Sequence, residues 1–262
     1  MEQNLTDKEV YNKNFASFYN YVLTEQAREY GKYILNYARK NIKGNSVVDY
    51  MCGTGNLLKI FEKENWTTTG IDLSDDMLNV AKLQLTKTKL FTKDVTLEER
   101  EFKNCFNLAV STADAVNHLS SIKDIENFFY NVYSSLKLNG LFIFDMNTEL
   151  GARANCNYIT LSTKDYLSVR EGFYDDVHKM GYTRFQGAYR KNKSNDYVRY
   201  DSTIYNYIYP ISQIVDVLQN VGFEIVCLKD GYSDKVYSKD HTERILFICK
   251  KENQKCHIKK KL

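Results

Sequence analysis

A glycine-containing turn between two acidic residues is the part of this sequence best suited to binding chemistry. The turn Gly53-Thr54-Gly55 follows an apolar run, Ser46–Tyr50, and precedes a segment of helical periodicity. Asp49 lies four residues before the first glycine, and Asp72 lies at the end of the next apolar run. Glycine lets a backbone approach a ligand closely, and a carboxylate accepts two hydroxyl hydrogen bonds. The pattern therefore predicts a ligand with a ribose diol, bound where two strands end.

Two common phosphate-binding patterns do not fit this turn. A dinucleotide site has the form Gly-x-Gly-x-x-Gly, and Leu58 stands where the third glycine would be. No Gly-Lys-Ser/Thr sequence follows, which excludes a P-loop. The Asp49 carboxylate would repel a pyrophosphate, whereas it would suit a cationic amino-acid group.

The elements around the turn predict an α/β fold. Apolar runs alternate with helical spacing over residues 1–150, which indicates a parallel, doubly wound sheet. Ligands of such sheets bind at the carboxyl ends of the strands, so Asp49 and Asp72 should meet at one edge. The predicted strands are Ser46–Tyr50, Thr67–Leu73, Leu90–Val95, Phe106–Ser111 and Leu141–Asp145, and the predicted helices are 8–41, Leu57–Glu64 and Ile125–Leu136.

The hydrophobic pattern of the sequence changes after residue 150. Tyr182–Arg190 and Tyr197–Tyr209 show period-two patterning around a polar turn, which predicts an antiparallel hairpin. A helix, Ile211–Asn220, and two last strands, Phe223–Leu228 and Arg244–Cys249, then complete the main sheet. We therefore expect a mostly parallel seven-stranded sheet from residues 1–150 and 210–262, with 151–209 as an antiparallel β cap.

Composition excludes several classes of protein. The 262 residues are 43% hydrophobic and 26% charged, which is ordinary for a globular chain. No stretch approaches the roughly 20 apolar residues of a membrane helix, and the N-terminus has no signal-peptide pattern. The six cysteines are scattered without a CxxC pair, which predicts reduced thiols in a cytoplasmic protein and no metal site. The net charge of +3 hides a basic tail at 250–262.

The turn and its surroundings resemble class I S-adenosylmethionine-dependent methyltransferases, whose first motif is acid-x-x-x-Gly-x-Gly. The segment from Gly70 to Leu78 resembles that family's second strand and helix start, and Lys93-Asp94-Val95 resembles its third motif. The resemblance implies a Rossmann-like fold and S-adenosylmethionine as cofactor. Asp72 would bind the ribose, Asp94 the adenine amine, and Tyr11 and Tyr19 on a lid helix the methionine part. The full set of implied cofactor residues is Tyr11, Tyr19, Asp49, Gly53, Thr54, Gly55, Asp72, Leu73, Met77, Asp94, Val95 and Ser111.

His118 is the candidate catalytic residue. It follows the fourth predicted strand in the loop Thr112–Leu119, which the resemblance brings beside the transferred methyl group. An acceptor that must lose a proton needs a general base, and histidine titrates near neutral pH. We therefore expect His118 to act as that base, with no metal ion involved.

The cap is predicted to select the methyl acceptor. Ten of the 21 tyrosines fall between residues 158 and 209. The cap also contains five arginines, and the planar guanidinium group of arginine matches the geometry of phosphate oxygens. The expected substrate contacts are Asn117, Asn147, Arg199 and Tyr205. The cap resembles that of nucleotide-amino-sugar and glycine-type N-methyltransferases and of sugar O-methyltransferases. This implies a small acceptor, such as a sugar, nucleotide-linked or phosphorylated metabolite of surface-glycan biosynthesis. The nucleotide-linked and phosphorylated acceptors would be anionic.

Nucleic acid is a less favoured acceptor. The only proline, Pro210, excludes both the Asn/Asp-Pro-Pro-Tyr/Phe motif of adenine methylation and the Pro-Cys motif of cytosine methylation. Two alternatives stay open. One is an RNA or protein methyltransferase whose basic tail contacts its partner, and the other is a non-catalytic S-adenosylmethionine-binding protein. The tyrosine-rich cap also suits a homodimer interface.

Overall fold

The protein is described by a computed structural model that covers residues 11–22, 24–190 and 196–252. Within these ranges the chain forms a seven-stranded sheet and a four-stranded antiparallel sheet. The strands of the large sheet are β1 (Ser46–Tyr50), β2 (Thr67–Asp72), β3 (Lys89–Thr92), β4 (Phe106–Ser111), β5 (Leu136–Asn147), β10 (Phe223–Asp230) and β11 (Arg244–Lys251). The small sheet contains β6 (Tyr158–Ser162), β7 (Tyr166–Asp175), β8 (Met180–Arg190) and β9 (Tyr197–Tyr207). The strand orders are β10-β11-β5-β4-β1-β2-β3 in the large sheet and β6-β7-β8-β9 in the small one.

Helices cover both faces of the large sheet. They are α1 (Lys13–Val22), α2 (Thr24–Asn41), α3 (Asn56–Lys63), α4 (Asp75–Lys82), α5 (Ile122–Ser135), α6 (Glu149–Ala154) and α7 (Ile211–Val221). One apolar core joins α5 and α7 to the sheet through Phe128, Phe142 and Leu218. The other joins α2 and α3 to the opposite face through Ile34 and Phe61. The apolar stripes of the helices thus bury the strands on both sides, as a parallel sheet requires.

The strand order confirms the predicted Rossmann-like fold. Strands β1 to β5 run parallel, and β11 pairs antiparallel with both β5 and β10. The chain winds outward from β1 through β2 and β3, then crosses to β4 on the other side. Such a reversal leaves a crevice at the carboxyl ends of β1 and β4.

The small sheet shows where the sequence prediction was incomplete. The predicted hairpin is present as β8 and β9, and two further strands, β6 and β7, extend it. All five residues of β6 are exposed, so this edge strand has no buried face to produce alternation. One face of the sheet packs on α1, where Phe15 and Phe18 enclose Tyr200.

Some predicted boundaries need correction. Strand β5 begins at Leu136 rather than Leu141, because Leu136 pairs with Phe106 before a register shift. Strand β3 ends at Thr92: the Lys93 amide still donates to the Asp72 carbonyl, and Asp94 then begins a turn by accepting from the Thr96 amide. Residues 8–10 of the predicted first helix, the polar turn 191–195 and tail residues 253–262 lie outside the described residues. Across the described ranges, no helix is both long and apolar enough to cross a membrane.

Candidate functional site

A cavity of about 250 Å³ opens at the carboxyl ends of the central strands, beneath α1. It extends from the turns after β1 and β2 to the loop after β4. Nine of the residues expected to bind cofactor or carry chemistry line it, although they come from five separate segments of sequence. These residues are Tyr11, Tyr19, Gly53, Asp72, Leu73, Met77, Asp94, Val95 and His118.

The turn after β1 leaves open space beside its backbone. Gly53 has φ 52° and Gly55 has φ 75°, both in the left-handed region that favours glycine. A Cβ added at Gly53 would meet no atom within 4 Å, so the backbone there faces open space. At Gly55 a Cβ would lie 2.6 Å from Cδ1 of Leu85. Gly53 therefore leaves room for a ligand, whereas Gly55 lets the turn pack closely on its neighbours.

Asp72 is fixed by backbone amides at the end of β2. Its Oδ2 accepts a hydrogen bond of 2.7 Å from the Gly53 amide, and its Oδ1 accepts one of 2.9 Å from the Ser74 amide. Ser74 caps α4 by accepting from the Met77 amide, and its hydroxyl donates to the Tyr11 carbonyl at 2.8 Å. The carboxylate is thus held by both turns, and the same segment anchors the lid residue Tyr11.

A buried acid and a buried hydroxyl lie behind the turn. Asp49 is only 2% exposed on β1, and its burial, with a smaller effect from Asp72, raises its pKa well above the usual value. On neighbouring β4, the buried Ser111 hydroxyl has no hydrogen-bond partner among the described residues. An ammonium group would provide the positive charge and the donors that the buried Asp49 carboxylate requires. Asp49 therefore fits the amino-acid end of S-adenosylmethionine.

The opposite end of the cavity is formed after β3. Asp94 accepts hydrogen bonds from the amide and hydroxyl of Thr96 at 2.9 and 2.7 Å, which orients its carboxylate. The neighbouring Lys93 ammonium forms ion pairs of 2.6 Å with Glu99 and Glu101. The positive charge of Lys93 is therefore already neutralised by protein carboxylates.

The lining of the cavity is consequently acidic. It includes the carboxylates of Asp72, Asp94 and Asp124. Lys93 also lines the cavity, but its ammonium group is neutralised by Glu99 and Glu101. Such a surface favours neutral or cationic ligand groups and disfavours anionic ones. Asp124 was not predicted from the sequence. In the sequence, Asp124 belongs to a Ser-x-x-Asp pattern at the start of α5, which indicates a helix cap and gives no sign of a binding site.

His118 is oriented from two sides. Its Nδ1 lies 3.0 Å from the Tyr205 carbonyl oxygen of β9, and its Nε2 lies 3.3 Å from the Tyr11 hydroxyl. A carbonyl oxygen only accepts hydrogen bonds, so we assign the proton of the neutral ring to Nδ1. Nε2 then carries the lone pair at the cavity, and the Tyr11 hydroxyl donates to it. Tyr19, the other lid tyrosine, is partly buried, and loss of solvent, with a smaller effect from Asp114, raises its pKa to about 12.

A buried ionic network supports the loop that carries His118. Ala113 and Asp114 have φ values of 61° and 53°, and their amides donate to the Asp145 carboxylate at 2.9 and 2.7 Å. Arg244 pairs with Asp145 at 2.5 Å and with Asp114 at 2.8 Å, and the Tyr232 hydroxyl also donates to Asp145. Burial lowers the pKa of Arg244, but the two carboxylates outweigh it and the net pKa rises well above the usual value.

Four predicted cofactor residues lie around the cavity rather than on its surface: Asp49, Thr54, Gly55 and Ser111. The four predicted substrate residues do not line it either. Asn117 donates to the Tyr207 carbonyl at 2.9 Å and accepts from the Asn147 amide at 2.8 Å, so the two asparagines join the loop to β9 and β5. Arg199 and Tyr205 point to the outer face of the small sheet, where Tyr205 is 40% exposed. From Tyr205, only the backbone carbonyl reaches the site.

A parallel sheet with a reversal at β1, an acid before a glycine turn and an acid at the end of β2 together define a class I S-adenosylmethionine-dependent methyltransferase. Comparison with known proteins agrees. Residues 22–228 match the family described as "Methyltransferase domain", and the chain belongs to that family.

Individual relatives are distant in sequence. A "Putative methyltransferase YqeM" of Bacillus subtilis is 25% identical over 221 residues, which covers 78% of this chain and 83% of that protein. A methyltransferase structure from Clostridium acetobutylicum superposes with a TM-score of 0.79 at 24% identity, covering 91% and 98% of the two chains. The sugar N-methyltransferase KedS8 from Streptoalloteichus superposes with a TM-score of 0.71 at 15% identity, covering 97% and 100%. These structures share the fold of this chain.

Proposed function

We propose that this protein transfers the methyl group of S-adenosylmethionine to a nitrogen or oxygen of a small molecule, with His118 as general base. The observation that carries the proposal is the His118 ring, whose Nδ1 is held by the Tyr205 carbonyl and whose Nε2 faces the cavity. Methyl transfer is an in-line displacement, so much of the acceleration comes from positioning the acceptor lone pair against the methyl carbon. A fixed imidazole at that position serves this geometry.

The residues at the other end of the cavity would bind the donor. Asp49 and the backbone near Ser111 would bind its ammonium group, Asp72 the ribose hydroxyls and Asp94 the adenine amine. The donor supplies a methyl group on a sulfonium, which needs no metal ion. Gly53, Thr54, Gly55, Leu73, Met77 and Val95 would shape the surrounding pocket, and Tyr11 and Tyr19 would cover the methionine part.

Nitrogen is the acceptor atom that we favour. Asp72 and Asp94 are assigned to the donor, so Asp124 is the lining carboxylate left to attract a cationic amine, and the charge of Lys93 is already neutralised. His118 Nε2 would accept the proton that this ammonium must lose before its lone pair can attack. An amino sugar meets these requirements, and the fold shared with the sugar N-methyltransferase KedS8 supports it. A role in carbohydrate biosynthesis and a homodimer through the cap stay predictions.

The experiment is a methyl-transfer assay with a panel of amino sugars and simple amines, in parallel with calorimetric titration of S-adenosylmethionine. We expect His118→Ala to lower the transfer rate by about 100-fold or more, the usual contribution of a general base. Its affinity for the donor should stay within twofold of the wild type, because His118 is not among the donor contacts. The matched control is His178→Ala, whose imidazole is exposed on the cap and bonded to Asp175.

Three results would contradict the proposal, each in a different part. An unchanged rate for His118→Ala would remove His118 from catalysis. Absence of donor binding to the wild type would contradict the methyltransferase activity itself. Donor binding with transfer only to RNA or protein, lost on deletion of 253–262, would favour the alternative in which the basic tail contacts a macromolecule.

A further inference from the structure

The arginines of the cap differ in their partners. Four of the five form ion pairs with carboxylates: Arg153 with Glu149 and Asp176, Arg184 with Asp201, Arg190 with Asp165 and Arg199 with Asp201. Arg170 is different. Among the described residues, no carboxylate lies within 4.0 Å of its guanidinium. It donates instead to two neutral amides, from Nη1 to Asn157 Oδ1 at 2.9 Å and from Nη2 to Asn155 Oδ1 at 2.8 Å.

These two bonds orient the guanidinium but leave its charge uncompensated. An arginine has five N–H donors, so most of them are available to another partner. Arg170 is half-buried, and burial lowers its pKa, against a smaller raising effect from Asp114. The Asp114 carboxylate is itself occupied by Arg244 at 2.8 Å and by the Asn147 amide at 3.0 Å. A half-buried, oriented cation of this kind is a ready partner for an anion from solution.

Arg170 also lies on the side of the cap that faces the active site. It stands on β7 directly opposite Phe185 of β8, on the face that packs against α1. Phe185 contacts Phe15 of α1 with ring centroids 5.8 Å apart, and Phe15 contacts Tyr11 at 5.7 Å. Arg170 is therefore one cross-strand neighbour away from α1, and Tyr11, in the segment just before that helix, contacts His118.

We propose that Arg170, oriented by Asn155 and Asn157, binds an oxyanion group on the methyl acceptor, at a distance from the atom that is methylated. The inference rests on the proposed function and defines its substrate class further: an amine at the His118 end of the cavity and a phosphate or carboxylate at the cap. The fork of an arginine matches both oxyanions in bidentate fashion. The two charges of the acceptor would then fix which end enters the cavity.

The test titrates inorganic pyrophosphate and malonate, as separate probes, into the full chain with and without S-adenosylhomocysteine, followed by calorimetry. We expect the wild type to bind one of them, pyrophosphate if the acceptor carries phosphate and malonate if it carries a carboxylate. Arg170→Gln should weaken that binding by tenfold or more, and Arg170→Lys, which keeps the charge but lacks the fork, should lie between. The matched control Arg184→Gln, on the outer face and paired with Asp201, should stay within twofold of the wild type.

Several outcomes would overturn the anion site. They are the absence of binding of both probes to the wild type, retained binding in Arg170→Gln, and equal losses in Arg170→Gln and Arg184→Gln. Thermal melting of each variant checks that it is folded. The donor is measured separately, so a wild type that binds pyrophosphate but not S-adenosylhomocysteine would contradict the methyltransferase proposal while supporting the anion site.

Discussion

The two ends of the cavity are built in different ways. At the proposed donor end, Asp72 is held by the amides of Gly53 and Ser74, which belong to the turns after β1 and β2. At the proposed acceptor end, His118 is held by a carbonyl from β9 and a hydroxyl from the segment before α1. The donor end therefore forms with the central strands, whereas the acceptor end requires the cap, the lid and the last strand to be in place.

This difference predicts that stability and binding respond to different residues. The largest effect should come from Asp145→Ala, which leaves Arg244 and the amides of the Ala113–Asp114 turn without their shared acceptor. Removing one partner of a buried ion pair costs about 3–5 kcal/mol of unfolding free energy. Urea unfolding would measure the loss. Donor affinity, extrapolated to the folded fraction, should change little, because Asp145 holds the Ala113–Asp114 turn and Arg244, none of which is assigned to the donor.

The matched control is Asp201→Ala, which removes one partner of the more exposed pair with Arg184. Exposed pairs contribute about 0–1 kcal/mol, so this variant should unfold near the wild-type midpoint. Equal losses in the two variants would contradict the idea that the Asp145 network supports the acceptor loop.

The same contrast explains what the sequence could and could not predict. The strands around Asp49 and Asp72 are apolar runs followed by local turn signals, so the elements and the position of these two acids at the strand ends could be predicted from local sequence. The acceptor end depends on Asp145 and Arg244, which lie far apart in the chain and meet because β11 pairs with β5. Tyr205 was expected to act through its side chain, but its contact with His118 is made by the backbone, which any residue would provide.

A second, smaller effect should separate binding from stability at the donor end. Asp49→Asn keeps the shape of the side chain and removes the charge expected to pair with the donor ammonium. A hydrogen bond to a charged group contributes about 1.5–3 kcal/mol, so donor affinity should fall by roughly 10- to 100-fold. Calorimetry would measure this. An affinity equal to that of the wild type would remove Asp49 from donor binding.

The pH dependence of this variant has a defined sign. Burial and then Asp72 raise the pKa of Asp49, so the folded protein holds its proton at pH values where the unfolded chain has lost it. The contribution of Asp49 to the free energy of unfolding is fully present below the pKa that Asp49 has in the unfolded chain. It is lost as the pH rises through the higher pKa that Asp49 has in the folded protein. The wild type should therefore lose stability with rising pH across this window, and Asp49→Asn should not. Donor affinity of the wild type should rise with pH there, because the ammonium requires the ionised carboxylate.

The smallest effect should come from Tyr11→Phe, where the segment before α1 meets the loop that carries His118. This change removes the 3.3 Å contact between the Tyr11 hydroxyl and His118 Nε2, whereas the Tyr11 carbonyl still accepts from Ser74. A neutral hydrogen bond contributes about 1 kcal/mol, so the transfer rate should fall by roughly fivefold with donor affinity nearly unchanged. The control is Tyr130→Phe on α5, whose ring is 61% exposed. A loss of donor affinity without a change in rate would contradict this prediction. It would show that the Tyr11 hydroxyl acts on donor binding and does not support His118.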